Sequence, residues 1–356
     1  MDDETALSAR RMEVMMTRVI AVVLTYNRRD LLKRCLDAVQ KQTRPCDEIF
    51  VINNASTDNT VEMLRREEYH GIKVYSLKEN LGAAGGFHTG FRMAYDKGAD
   101  QVWMMDDDVI PEPGALQTLL EADALLEQYN AKRSYLVSTA FTESGEVTNT
   151  PMMCEGLNKA GYMGWPKYLH HGVVAVGSGT FVSILVPRQT LETYGLPIAE
   201  MFIWGEDAEF TLRITQEDPG YLVGNSKVLH IRHGSSKINI VAENNPVRIS
   251  YYKNYVRNNV FLARKYKGKV RLCSVVVHNL MLSFRLMIKG EFHKASVVLT
   301  GLIQSMRFKP AARSVDGDYD YSCLSLSTCG ITNQYYSVTP ERLKESQPFD
   351  EANCTR

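Results

Sequence analysis

The sequence has no paired-cysteine signature. Its seven cysteines are scattered, none stands as CxxC, and none keeps zinc-like spacing to a histidine. That pattern excludes a disulfide scaffold or zinc ribbon and favours reduced thiols in a cytoplasmic compartment. Nor is there a net charge: 41 basic residues face 41 acidic ones, so no global field recruits nucleic acid. No glycine-rich loop ends in GK[ST], which excludes a P-loop. The N-terminal MDDETALSARRMEVMM contains no unbroken apolar core, so no secretory signal is expected. No run reaches the roughly 18 uncharged apolar residues of a membrane span. The nearest, SVVVHNLMLSFRLMI, is broken by His278, Asn279 and Arg285, and no spanning helix is expected.

What is present is an alternation. VIAVVLTYN reads as a buried strand ending in polar residues, and DLLKRCLDAVQKQ as a helix with Asp30 placed to cap it. DEIFVINNAS repeats strand and polar tip, TVEMLRREE is a helix, KVYSLKEN a strand, GGFHTGFRMAYDKG a helix and DQVWMMDDD a fourth strand. Strands and helices in this rhythm predict an α/β fold with a Rossmann-like, mostly parallel sheet, whose ligands bind at the strands' carboxyl ends. The polar tips NNAS, ENLGAAGG and DDD all fall on that edge. Later segments predict further helices and strands, ending in YLVGNSKVLHIRH.

Between residues 251 and 310 twelve Lys or Arg stand against one acid, Glu291. Two readings are open: a helical subdomain with a solvated basic face, or an amphipathic segment on an anionic bilayer surface. From Ala311 onward no period is evident, and an arm or a partly disordered tail is expected. The expected divisions are an extension over 1–17, a catalytic domain over 18–240, the basic helical segment over 241–310 and a tail over 311–356.

The chemistry concentrates at three places. Alternate residues of an extended segment share a face, so Asp106 and Asp108 would point together and Asp107 away. Two ionised carboxylates side by side make a site for a hard divalent cation, Mn²⁺ or Mg²⁺. A solvated acidic loop or a helix-capping cluster is the alternative. ENLGAAGGF places glycines where a phosphate could approach the backbone, or where a tight turn packs. The side chains of TYN and NNASTD suit a pyrimidine and a ribose, or local Asx turns. In WGEDAEF, Glu206 and Asp207 open a helix, as favourable first-turn charges or as a source of a catalytic base. His230 and His233 in LHIRHGSS could complete a metal shell or be structural.

In their order along the chain, VLTYNRRDLLKRCLDAVQKQT, VINNASTDNT, ENLGAAGGF, MDDD, GLPIAEMFIWGEDAEF and VLHIRHGSS resemble the inverting family 2 glycosyltransferases of GT-A fold. The likeness spans residues 18 to 236, continues weakly through YYKNYVRNN, and is nearest to bacterial galactofuranosyl- and rhamnosyltransferases of cell-surface polysaccharides. The resemblance implies a UDP- or dTDP-sugar donor and a glycan or polyprenyl-linked glycan acceptor. It implies Mn²⁺ or Mg²⁺ at Asp106, Asp108 and His230, and Asp207 as catalytic base. Expected nucleotide and donor contacts are Thr25, Tyr26, Asn27, Arg28, Asn54, Asp58, Asn80, Gly82, Gly85, Gly86, Asp106 and Asp107. Trp204, Glu206 and His233 are expected on the acceptor side. The same likeness implies a cytoplasmic enzyme, peripheral at the inner face of the cell membrane. The basic segment would be its anchor or, alternatively, a homo-oligomer interface. Two departures stand out: Glu206 where many relatives carry Asp, and Ala83 and Ala84 within the glycine-rich turn.

Overall fold

The computed structural model describes residues 16–66, 69, 71–231 and 238–328. At its centre β1 (Val19–Thr25) is flanked by β2 (Glu48–Asn53) and β4 (Gln101–Asp106), with β3 (Lys73–Leu77) beyond β2, all parallel. The connecting helices are α1 (Arg29–Gln40), α2 (Thr60–Leu64) and α3 (Gly82–Asp96). Every residue of β1 is buried, as a strand covered on both faces requires. Val19, Ala21 and Val23 face a core built with α1 and α4 (Ala115–Gln128), whereas Ile20, Val22 and Leu24 face one built with α3.

The other half of the sheet is not parallel. β9 (Ile184–Pro187) runs antiparallel between β4 and β6 (Leu136–Phe141), and the long β10 (Gly220–His230) lies parallel to β6. The short β5 (Val109–Pro111) closes that edge against β10, directly after the triple aspartate, while β7 (Val147–Thr148) pairs with β6 and β8 (Val173–Val176) with β10. The sheet is therefore mixed, and its parallel half carries the expected polar tips. α5 (Arg188–Tyr194) and α6 (Glu206–Ile214) pack into the α3-side core through Leu191, Phe210 and Ile214.

Two local expectations change. Asp30 is not the cap of α1: the helix begins at Arg29, so Asp30 sits in its first turn. The tail is not a free arm through residue 328, because β11 (Leu324–Thr328) adds an antiparallel edge strand to β3. Val315, Tyr321 and Leu324 are buried in the α3-side core, and Arg92 donates to the carbonyl oxygens of Val315 and Gly317. Part of the expected tail therefore completes the sheet of the expected catalytic domain, and residues 329–356 lie outside the described residues.

α7 (Pro246–Tyr266), α8 (Gly268–Ile288) and α9 (Phe292–Arg307) form the helical unit. The Asn245 side chain accepts from the amides of Val247 and Arg248, and Pro246 opens α7 where no amide is needed. A small core of Ile249, Tyr252, Val256, Leu286, Ala295 and Val298 holds the three together. A second cluster, Ala84, Ile198, Met201 and Phe261, joins α7 to the sheet domain. α8 has its sides reversed: Asn279 and Ser283 are 8% and 1% exposed, whereas Val270, Phe284 and Ile288 are 87%, 61% and 70% exposed. By length and composition it is the one helix among the described residues apolar enough to cross a membrane, which the run broken at Arg285 did not predict.

Candidate active site

The carboxyl ends of β1 and β4 bring the first tip against the triple aspartate. Asp106 is the last residue of β4, while Asp107 and Asp108 form the turn into β5. Strict alternation therefore stops at Asp106. Asp107 and Asp108 share one cation: Arg28 Nη1 stands 3.2 Å from Asp107 Oδ1 and 2.7 Å from Asp108 Oδ2. Thr25 Oγ1 donates to Asp107 Oδ2 at 2.7 Å. Arg28, expected on the nucleotide, thus takes up part of the charge that three adjacent carboxylates accumulate.

The charges remain incompletely satisfied. Asp108 Oδ1 is buried without a hydrogen-bond partner. His230 Nε2, at the end of β10, stands 3.4 Å from that oxygen, an ion-pair distance beyond good hydrogen-bond length. Burial, with the charges of Asp108 and Asp107, pushes the Asp106 carboxyl well above the usual range. Burial raises Asp107 to about 6, against the opposing pull of Arg28 and Thr25. Burial also acts upward on Asp108, but His230 and Arg28 outweigh it and hold that group below its ordinary value. The region around Asp106 and Asp108 Oδ1 is thus short of positive charge.

Among the described residues no group of three or more His, Cys, Asp or Glu side chains is placed to hold a metal ion. A hard octahedral cation needs none, since one or two carboxylates suffice when substrate oxygens and water complete the shell. The chemistry of two neighbouring carboxylates, Asp106 and Asp108, suits that requirement, with His230 beside Asp108. His230 is oriented from behind: its Nδ1 lies 2.9 Å from Asn149 Oδ1. With a cation bound, a proton kept on Nδ1 by that contact would leave Nε2 free to serve as a ligand. Asn149 adopts a left-handed backbone, φ 49°, which asparagine tolerates. Sequence reading did not single it out, because it lies 81 residues before its partner.

The remaining tips are largely engaged with one another. Asn27 Oδ1 accepts from the amides of Thr57 and Asp58, and Asp58 accepts from the amides of Arg29 and Thr60. Of these, only the Thr60–Asp58 contact is a local Asx turn; the others tie the first strand tip to the second. Asn54 donates to Gly82 O at 3.0 Å and accepts from Leu81 N at 2.9 Å, pinning the glycine-rich turn to β2. Asn80 accepts from Gly82 N at 2.8 Å. A Cβ on Gly86 would fall 2.3 Å from a Leu24 methyl, and one on Gly85 would fall 2.5 Å from Leu81 Cβ. Those two glycines serve close helix packing here. Tyr26 is exposed at the lip.

The acid pair is reached through a strained loop. Phe202, Trp204 and Gly205 have φ of 65°, 63° and 114°, and α6 begins at Glu206. Phe202 O accepts from Ala84 N at 2.9 Å, binding this loop to the glycine-rich turn. Gly82 (φ +73°) is required there, because a Cβ would stand 2.2 Å from Phe202 O. Burial and the neighbouring Asp207 raise Glu206 to about 8, and Glu206 Oε2 is buried without a partner. Burial raises Asp207 to about 6, although the Ala208 amide donates to its Oδ1 at 2.7 Å. Glu206 is close enough for its charge to raise Asp106 further, which links the start of α6 to the end of β4. The Trp204 ring packs on Tyr252 at 5.0 Å and under Arg248. His233 lies outside the described residues.

Residues 20–132, from β1 through α4, match the family described as "Glycosyl transferase family 2". The match falls on the parallel half of the sheet and the first strand tips, less than half of the chain. Galactofuranosyltransferase GlfT1 of Mycolicibacterium smegmatis is 31% identical over 219 residues, covering 56% of this chain and 65% of its own length. GlfT1 of Mycobacterium tuberculosis is 31% identical over 206 residues, covering 55% of this chain and 64% of its own. The chain thus spans just under two thirds of these relatives. A solved structure, GalNAc-T7 with UDP, GalNAc and Mn²⁺, superposes with a TM-score of 0.50 at 16% identity, over 70% of this chain and 49% of that one. At that identity the likeness supports the fold alone, that of GT-A proteins.

Proposed function

We propose that this protein is an inverting, divalent-metal-dependent glycosyltransferase that moves a sugar from a nucleoside diphosphate onto a hydroxyl of a growing cell-surface glycan. The observation that carries the reading is the buried Asp108 oxygen without a hydrogen bond, two residues after Asp106, whose carboxyl feels the charge of Glu206 on α6. Asp106 and Asp108, with His230, would hold Mn²⁺ or Mg²⁺, which when bound supplies charge to stabilise a departing diphosphate. Arg28 keeps Asp107 and Asp108 fixed while the donor enters. Asp207 takes the acceptor hydroxyl's proton as that oxygen bonds to the anomeric carbon. The bond from that carbon to the diphosphate oxygen breaks, and the nucleoside diphosphate leaves with the electron pair. One displacement inverts the anomeric centre and needs no covalent glycosyl-enzyme.

For the donor, the similarity to GlfT1 favours UDP-galactofuranose, with dTDP-rhamnose as the second choice. A non-catalytic nucleotide-sugar binder is disfavoured because Asp106, Asp108 and Asp207 are all retained. A panel of nucleotide sugars with Mn²⁺, assayed for enzyme-dependent release of nucleoside diphosphate and for transfer to simple glycoside acceptors, tests the reading. Release from UDP-galactofuranose above all others supports it; no turnover of any donor in the panel overturns it.

The acceptor, on this reading, hangs from a polyprenyl lipid, and the helical unit holds the enzyme at the inner, cytoplasmic face of the membrane. Support comes from α8. Val270, Val277, Met281, Phe284 and Ile288 recur at helical spacing along one exposed stripe. The exposed Lys267, Arg271, Arg285 and Lys289 run along its flank. An apolar stripe with a basic edge suits a helix lying flat on anionic lipid. Its three internal cations and its packing against α7 and α9 argue against spanning. Flotation with anionic vesicles should capture the protein, and Phe284→Glu with Ile288→Glu should release it. A concentration-dependent dimer abolished by the same pair, without vesicle binding, would make the stripe a homo-oligomer interface instead.

A further inference from the structure

The loop that leads to the acid pair is held from the helical unit. Asn258, on α7, is 0% exposed, and its Nδ2 donates to three carbonyl oxygens of the preceding loop: Met201 at 2.9 Å, Ile203 at 3.1 Å and Trp204 at 2.9 Å. Two amide hydrogens thus serve three acceptors across the segment that ends two residues before Glu206. The neighbouring Arg257 donates from Nη2 to Glu200 O at 2.9 Å and Met201 O at 3.0 Å, and from Nε to Asn258 Oδ1 at 3.1 Å.

This loop would not hold its shape unaided. Phe202 and Trp204 are bulky residues in the left-handed region, each costing roughly 1–3 kcal/mol unless the surroundings enforce it. Buried carbonyls left without donors would add a desolvation cost. The loop is gripped on two sides, by Ala84 N on the glycine-rich turn and by Asn258 on α7. The expected donor side, the acid pair and the helical unit therefore meet in one bracket.

We infer that Asn258 is a positioning residue: it fixes the backbone from Met201 to Trp204, and so sets where the Asp207 carboxylate stands relative to the acceptor hydroxyl. The inference rests on the reading of Asp207 as general base. A misplacement of about 1 Å in a reacting group can cost on the order of 100-fold in rate. The effect should fall on kcat, because Asn258 is tied to none of the residues expected at the metal or the nucleotide.

The test is a cycle of Asn258→Ala and Asn258→Ser, each in the wild-type and Asp207→Asn backgrounds, assayed well below the melting temperature of every variant. Asn258→Ser keeps one donor and covers the case in which the alanine variant does not fold. Both are expected to lower kcat by about 10–100-fold, with the donor KM and Mn²⁺–UDP affinity within twofold of wild type, and to add no further loss once Asp207 is Asn. An unchanged kcat, or the same fold-loss in both backgrounds, overturns the inference and leaves Asp207 standing. Undiminished transfer by Asp207→Asn alone overturns the reading of the base instead.

Discussion

Replacing Asp207 by Asn tests the proposed chemistry at one atom. Asn keeps the shape, and its carbonyl can still accept from the Ala208 amide that now reaches Oδ1 at 2.7 Å. The basicity is lost. A positioned general base contributes roughly 10²–10⁴-fold, so the barrier should rise by about 2.7–5.4 kcal/mol. The wild-type pH profile should locate the group first. Burial holds Asp207 at about 6, and a base works only when deprotonated, so kcat/KM should fall about tenfold per unit as pH drops below 6. The variant should lack that limb. Stability should not suffer, since the neighbouring charge that helps raise Glu206 disappears. Steady-state transfer from the donor identified by the nucleotide-sugar panel, thermal melts and Mn²⁺–UDP calorimetry on one preparation make the comparison. Transfer within tenfold of wild type, or loss of transfer together with nucleotide binding, would refute the assignment.

Asn149→Ala should weaken Mn²⁺-dependent UDP binding by about 10–100-fold, the usual cost of losing a partner that orients a ligating histidine; unchanged affinity would remove Asn149 from that role. Glu206→Gln should raise stability, more at pH 8 than at pH 5, as read from chemical denaturation. The folded protein holds Glu206 at about 8 against an ordinary 4.5. Between those values the native state binds the extra proton and unfolding becomes easier as pH rises, a penalty of at most about 5 kcal/mol at pH 8. Equal stabilisation at both pH values would count against a buried protonated glutamic acid. Gly82→Ala should cost about 2–4 kcal/mol in denaturant unfolding, since a Cβ meets Phe202 O at 2.2 Å in a left-handed turn. A cost below 0.5 kcal/mol would show that the turn and the loop are not locked.

The parallel half of the fold was legible because its strands are covered on both faces and end in abrupt polar tips, a signal local to each segment. The antiparallel insertion of β9 and the return of the tail as β11 were not, since strand partners tens to hundreds of residues apart leave no local periodicity: Leu185 pairs with Leu136, and Leu324 with Leu77. The acids, His230 and the glycine-rich turn were visible as residue types at strand ends. What they touch was not. Asp107 and Asp108 lie in a turn rather than an extended strand, so Arg28 reaches both where alternation predicted divergence. Asn258 sits on a helix whose composition reads only as basic and apolar, 51 positions after Asp207, and its three carbonyl partners emerge only from the packing of α7 against the loop. The reversed faces of α8 were hidden similarly: Asn279 interrupts the apolar run in sequence yet points inward in the fold.

The central claim is that Asp106 and Asp108 hold a divalent cation on which the donor's diphosphate rests. Isothermal calorimetry of UDP with and without Mn²⁺, on the wild-type protein and Asp108→Ala, addresses it most directly. Tight UDP binding that requires Mn²⁺ in the wild type, and loses that requirement together with most of its affinity in the variant, is the predicted result. Equal UDP affinity in both proteins, indifferent to Mn²⁺ or to chelator, would contradict it.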